Sequence, residues 1–316
     1  MLMHASAASP DRAMSSRDPA SPPALTCRGR SLDTNRPLVM AVVNATPDSF
    51  SDRERLTTTE SRAERCFELL DAGAAILDVG GQSGITGVPE ISEDEEASRV
   101  VPLVEAVIAE RADTVISVDT YRPAVTRAVI DAGAAIVNDV SGLAHPELVG
   151  LCAAAGCGLV VMHTRVAPKH KLLDPDLYED VTSDVVEMLE ARIATAVEGG
   201  LDREGIIVDP GIDYAKTPYQ SVEVLRSAER ITALGRPVLW ALSRKDFIGA
   251  ITGRRPADRL PGTLAAIGHI GAHAGAIFRV HDVAETVAYL EVQRALRDGD
   301  VLGRDADLDV ANRRER

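Results

Sequence analysis

The chain is short of cysteine, of cations and of long apolar runs, and each shortage excludes something. Its four cysteines, Cys27, Cys66, Cys152 and Cys157, form no C-x-x-C pair. They read as packing or surface thiols of a reducing compartment, and the expected location is the cytoplasm. Lys and Arg number 34 against 48 Asp and Glu, a formal net charge of −14. That balance speaks against nucleic acid as a partner, because a broad footprint needs a cationic surface to displace phosphate counterions. An anionic substrate must instead meet a local cluster of cations. The longest apolar run, from Leu148 to Met162, is interrupted by Gly156 and Gly158, and it falls short of the roughly 20 residues that cross a bilayer. No membrane segment is expected. Also missing are G-x-G-x-x-G and G-x-x-x-x-G-K-[ST], the Gly-rich loops of dinucleotide and P-loop sites.

What is present suits one large core: 316 residues, 45% of them hydrophobic, with mean hydropathy close to zero. Residues 1–36 are rich in Ser, Ala, Pro and Arg, with no apolar periodicity and no secretory h-region, so they are expected to be a disordered leader. Residues 298–316 carry alternating charge and are expected to be a loose tail. Between them, over 37–297, one pattern repeats: a short β-branched apolar run, a polar loop, then a segment of helical periodicity. Eight runs fit, at Leu38–Val43, Ala75–Val79, Thr114–Val118, Ala135–Val137, Gly158–Met162, Gly205–Val208, Pro237–Ala241 and Ala276–Val280. The helical candidates include Thr59–Ala72, Ser92–Glu110, Arg122–Ala132, Asp176–Glu198 and Val283–Arg297. Eight β/α units in a single domain predict a closed parallel (β/α)8 barrel rather than an open doubly wound sheet.

In such a barrel the side chains that do chemistry stand at the C-terminal ends of the strands. Here the polar residues fall at those ends: Asn44 with Thr46 and Asp48; Asp78; Asp119; Asn138 with Asp139; His163; Asp209; Ser243, Arg244 and Lys245; and Arg279 with His281. Any one of them alone reads as a helix cap or a turn residue. A ring of them points to one shared ligand. Asp119, Asn138, Asp209 and Lys245 would offer carboxylates, an amide and an ammonium to a flat heterocycle rich in N–H donors, since buried charge must be answered by fixed hydrogen bonds. Arg279 and His281, beside Asn44, would make a cationic corner for an anion. Asn44 with nearby Asp48 gives Mg2+ at most one or two protein ligands, which an ion that keeps its waters and leans on substrate phosphates tolerates.

These strand ends carry recognisable motifs. Val42-Val43-Asn44-Ala45-Thr46-Pro47-Asp48-Ser49-Phe50-Ser51-Asp52 resembles the first signature of the dihydropteroate synthases. Asp78-Val79-Gly80-Gly81, Ser117-Val118-Asp119-Thr120, Val137-Asn138-Asp139-Val140, Val161-Met162-His163, Asp209-Pro210-Gly211, Ser243-Arg244-Lys245 and Arg279-Val280-His281-Asp282 follow in order. The resemblance covers about residues 38 to 296. It implies a transferase of folate biosynthesis that joins 6-hydroxymethyl-7,8-dihydropterin diphosphate to p-aminobenzoate, releasing pyrophosphate, with sulfonamides as competitors. It further implies Mg2+ as cofactor, a homodimer, a pterin held by Asp119, Asn138, Asp209 and Lys245, metal and diphosphate on Asn44, and the anion on Arg279 and His281.

The chain departs from the family pattern in three places. Where members carry Gly-Gly-Glu-Ser-Thr-Arg, it reads Gly80-Gly81-Gln82-Ser83-Gly84-Ile85; the Ser after Ser-Arg-Lys is Asp246; and Asp213-Tyr214 replaces a small residue and Phe. Asp246 is expected either to cap its helix or to face the place of the p-aminobenzoate carboxylate and repel it. Two alternatives to the synthase therefore stand: a paralogue that binds a pterin with little or no synthase activity, and a methyltetrahydrofolate-type methyltransferase. The second would have no use for Arg279-Val280-His281.

Overall fold

A computed structural model of the chain describes residues 23–45, 58–82, 88–271 and 273–298. The strands are β1 (Leu25–Cys27), β2 (Arg30–Leu32), β3 (Leu38–Asn44), β4 (Ile76–Gly80), β5 (Ile116–Asp119), β6 (Ile136–Asp139), β7 (Gly158–Met162), β8 (Ile206–Asp209), β9 (Val238–Trp240) and β10 (Ala276–Val280). The helices are α1 (Thr59–Asp71), α2 (Glu93–Glu110), α3 (Pro123–Ala132), α4 (Glu147–Ala155), α5 (Val181–Glu198), α6 (Pro218–Arg226), α7 (Ala228–Thr232), α8 (Asp246–Thr252), α9 (Leu260–Ile270) and α10 (Val283–Arg297). Strands β3 to β10 close into one parallel barrel, with β10 paired to both β3 and β9. The fold is the (β/α)8 barrel that the repeating pattern predicts.

Two apolar layers hold it together. The larger lies between strands and helices, built from residues such as Val79, Val118, Leu103 and Val129. The smaller fills the barrel interior, with Met40, Ile76, Ile136, Val160, Ile207, Leu239 and Ile277 contributed by different strands. Because side chains alternate along a strand, two residues further on each strand again points inward. At that next level Ile76 gives way to Asp78, Ile136 to Asn138, Ile207 to Asp209 and Ile277 to Arg279. The barrel thus has an apolar floor and a polar layer directly above it.

The boundary expected at residue 36 shifts. Residues 25–32 form an antiparallel hairpin whose turn, Arg28-Gly29, takes two left-handed residues, the conformation that suits a two-residue hairpin loop. Leu25 and Cys27 are fully buried in the interior layer. Arg28 donates to the carbonyls of Ile130 and Ala134, and Arg30 to those of Ala112 and Thr114. The hairpin plugs the lower end of the barrel, and too few apolar residues alternate in it for the sequence to have announced a strand. Residues 1–22 and 299–316 of the expected leader and tail lie outside the described residues. The helix expected from Asp176 starts at Val181, because Asp180 accepts from the amides of Thr182 and Ser183 and caps it there.

Candidate active site

Strand register sets the height of each polar group. Asn44, Gly80, Asp119 and Asn138 pair in one row across β3 to β6, and Asp209 lies opposite Met162. One level below that row, Asp78 stands opposite Ser117. The Asp78 carboxylate is fully buried and accepts from the Ser117 hydroxyl at 2.6 Å, from Asn138 Nδ2 at 3.1 Å and from Arg279 Nε at 2.6 Å. Arg279 also reaches Asp119 at 3.0 Å. These bonds fix the rotation of the Asn138 amide, since its NH2 must face the carboxylate. Its Oδ1 is then left buried with no partner among the described residues, an arrangement that costs free energy until a donor arrives.

Asp209 is 4% exposed, and one of its oxygens accepts the Gly211 amide at 2.7 Å. Burial raises its carboxyl above the usual range, while that amide, Lys245 and Lys216 act against the rise. Burial likewise raises the carboxyl of Asp119, opposed by the guanidinium of Arg279. Lys245 occupies the N-cap position of α8; its ammonium donates to the Ile212 carbonyl at 2.9 Å and sits 4.7 Å from the centre of the Tyr214 ring, close enough for a cation–π contact. Burial lowers its pKa, against the pull of Asp213 and Asp209.

The expected cationic corner divides. Arg279 is committed to the carboxylates of Asp78 and Asp119. His281 stands apart, its Nδ1 2.9 Å from the Ser243 hydroxyl. Burial, then Arg279 and Arg244, pull its pKa down to about 4. At neutral pH it is a hydrogen-bonding imidazole and not a second charge. Arg244, in the same motif, pairs with Asp282 at 2.6 Å and so supports the loop rather than the site.

Asp246 does not take the N-cap position that was one of its two expected places. Lys245 precedes the helix, Asp246 is its first residue, and the half-exposed carboxylate pairs with Lys171 at 3.3 Å and with Arg259 at 3.2 Å. Two cations therefore compensate its charge. Asn44 is half-buried at the end of β3. Its side-chain carbonyl fits a single oxygen ligand of Mg2+, and among the described residues no group of three or more His, Cys, Asp and Glu gathers to hold a metal. Thr46, Asp48, Gly84 and Ile85 lie outside the described residues. A hollow of about 940 Å³ beside Arg36, Gly73, Leu290 and Arg294 sits at the strand N-termini and holds none of the groups above. A smaller cavity, lined by Asp119, Thr120, Tyr121, Lys169 and Tyr214, opens onto the polar layer.

A family model for pterin binding enzymes matches residues 40–281, from the middle of β3 to the end of the last strand motif. The chain belongs to that family. Dihydropteroate synthase of Bacillus subtilis is 39% identical over 82% of this chain and 88% of its own length. A probable bifunctional folylpolyglutamate synthase/dihydropteroate synthase of Haloferax volcanii is 39% identical over 85% of this chain, which spans only 32% of that longer protein. A solved structure of the Xanthomonas albilineans dihydropteroate synthase with 4-aminobenzoic acid superposes with TM-score 0.79 at 38% identity, covering 88% of this chain and 99% of that one. The family member described here is accordingly a transferase of the dihydropteroate synthase type. The methyltransferase alternative drops out on these relatives.

Sequence reasoning gave too little weight to two side chains. Asp78 stood in the ring of strand-end residues but not among the expected site residues, although it organises Ser117, Asn138 and Arg279. Its signal was the alternation Ile76, Asp78, Gly80 along an otherwise apolar strand. Lys216, 1% exposed, was not singled out.

Proposed function

We propose that the polar layer binds 6-hydroxymethyl-7,8-dihydropterin diphosphate and that the protein condenses it with p-aminobenzoate to 7,8-dihydropteroate and pyrophosphate. The observation that carries the reading is the Asn138 Oδ1, a buried acceptor without a donor among the described residues, close in the register to the carboxylates of Asp119 and Asp209. The N–H edge of a pterin supplies such donors, and bonds to charged acceptors are the strong ones. Lys245, beside Tyr214, closes the pocket against the heterocycle. Arg279 contributes to the pterin end through Asp119 as well as to the anion, and neutral His281 donates to the diphosphate. Asn44 would supply one ligand to Mg2+, and the ion, when bound, would supply charge neutralisation for the diphosphate. The aniline nitrogen displaces that group from the CH2, and the chain's own cations and donors stabilise the charge that leaves with it.

A homodimer through the late helices accompanies this reading, supported by Val292 and Leu296, exposed one turn apart on α10. Sedimentation velocity checks it. A cytoplasmic location is supported by four free, buried cysteines, and among the described residues no helix is long and apolar enough to cross a membrane. The activity is tested by dihydropteroate formation from the two substrates, beside titration of the pterin. Asp209→Ala and Lys245→Ala should each abolish detectable pterin binding in a folded barrel. Absence of product from the unaltered chain, or unchanged affinity in either variant, would overturn the assignment.

A further inference from the structure

Lys216 is a buried ammonium that the proposed reaction does not use. Its Nζ lies 2.8 Å from His163 Nδ1, 2.9 Å from the Gly211 carbonyl and 3.2 Å from the Tyr214 carbonyl. Three protons meet three neutral acceptors, and no carboxylate comes within ion-pair distance of it among the described residues. The segment it closes, 211–216, is an unusual piece of backbone: Gly211, Asp213 and Ala215 all take positive φ, at 65°, 67° and 48°. For Asp213 and Ala215 that conformation is unfavourable and persists only when its surroundings enforce it. The same segment delivers two parts of the pterin pocket, since the Gly211 amide holds Asp209 and Tyr214 lies under Lys245.

We propose that Lys216 is a positioning residue for the pterin site, an internal cation that gathers the Gly211 and Tyr214 carbonyls and so holds Asp209 and Tyr214 in place. The inference rests on the pterin reading above. A second relay steadies the ammonium from behind. With Nδ1 accepting from Lys216, the proton of His163 sits on Nε2 and is donated to Asp184 at 2.7 Å, and Asp184 is held in turn by Arg165. Sequence places these groups far apart; the ends of β7 and β8 bring them together.

Protonation decides whether the clamp has three donors or two. Burial lowers the pKa of Lys216 to about 7; Asp209, Asp184 and Asp213 raise it, and Lys245 lowers it. His163, on the other face, is held neutral, its pKa lowered to about 4 by burial and by Lys216 itself. The charged groups around Lys216 are thus Asp209 on β8, Asp184 on α5, Asp213 on its own loop and Lys245 at α8. As pH rises through the pKa of Lys216, one acceptor loses its proton and the loop loosens. Asp119 acts in the opposite sense, because loss of its proton improves an acceptor for the pterin as pH rises. The expected profile is therefore a bell; Lys245, also lowered by burial, shares its alkaline side, and the part that belongs to Lys216 is the part that a change at Asp184 moves.

The test is titration calorimetry of the bare pterin alcohol from pH 6 to 9, which avoids ionisation of the diphosphate, together with steady-state kinetics. Lys216→Met should weaken pterin affinity at pH 6.5 by tenfold or more, leave KM for p-aminobenzoate within twofold, and remove its part of the alkaline limb. Asp184→Asn, two hydrogen bonds removed from Lys216, takes away a charge that favours the protonated ammonium, so it should move the limb to lower pH. A purely structural Lys216 would lower Tm and leave the limb where it is. Should Lys216→Met fail to fold, the Asp184→Asn shift decides alone. A wild-type chain that binds no pterin at any pH overturns the underlying reading. Constant wild-type affinity from pH 7 to 9, or a limb unmoved in Asp184→Asn, overturns this inference only.

Discussion

Replacing Asp78 by Ala tests whether the polar layer is a structural unit. The substitution removes the one carboxylate among the described residues that meets Ser117, Asn138 and Arg279 together, at 2.6, 3.1 and 2.6 Å. Breaking a buried pair by deleting one partner costs about 3–5 kcal/mol. Each buried donor left unsatisfied costs about 1–3 kcal/mol. These figures overlap and do not add in full. Arg279 keeps Asp119 at 3.0 Å and has a side chain 22% exposed, so water at the mouth solvates part of what is lost. A net loss of about 3–5 kcal/mol is expected, corresponding to roughly 5–10 °C in Tm for a barrel of this size. Urea unfolding followed by circular dichroism measures it, with an unchanged slope confirming that the unfolded state is the same. Pterin affinity should fall in parallel, because the Asn138 amide is then free to rotate. A loss below about 1 kcal/mol would refute the argument: Arg279 would be satisfied by Asp119 alone, and Asp78 would be a bystander.

Three further outcomes follow from particular contacts. His163, with no solvent exposure, should remain neutral until pH approaches 4. Its own contribution to stability, on the order of 3 kcal/mol, is present above pH 6.5 and lost as pH falls towards 4, since the unfolded imidazole takes up its proton first; an imidazole NMR midpoint near 6.5 would contradict this. Gly211→Ala should cost at least about 2 kcal/mol in chemical denaturation, because φ is +65° and a Cβ would stand 1.9 Å from the His163 carbonyl oxygen; a neutral result would mean that the turn is free to move. Asp246→Ser should change stability by less than about 1 kcal/mol, as half-exposed ion pairs do, and KM for p-aminobenzoate by less than threefold; a large gain in affinity would restore the expected repulsion.

The barrel was legible because its signals are local and repeated. A β-branched run followed by a helical segment recurs eight times, and several runs carry a polar residue at or beside their end where strand alternation turns the side chain inward, as at Asp78, Asp119, Asn138, Asp209 and Arg279. The same alternation made Asp119, Asn138 and Asp209 readable as one layer before any contact was known. The hairpin of residues 25–32 was not legible, because its stability comes from long-range bonds such as Arg28 to Ile130 and Arg30 to Thr114. Local sequence in that stretch, with Arg28, Gly29 and Arg30 between Leu25 and Cys27 on one side and a lone Leu32 on the other, looks like leader.

Charge was misread for a related reason. Sequence shows that Arg279, His281, Lys245 and Asp246 stand at strand ends, but not which partner each takes. In the structure Arg279 crosses over β3 to Asp78 and Asp119, Asp246 turns to Lys171 and Arg259, and His281 loses its charge through burial. The site is therefore less cationic than a count of its basic residues suggests, and less repulsive than a count of its acidic ones. Lys216 shows the same principle from the other side, since its acceptors are two backbone carbonyls and an imidazole, none of which can be paired to it by residue type. A ring of polar strand ends identifies where a ligand binds. How those residues divide the work between binding and bracing depends on the pairs they form with one another.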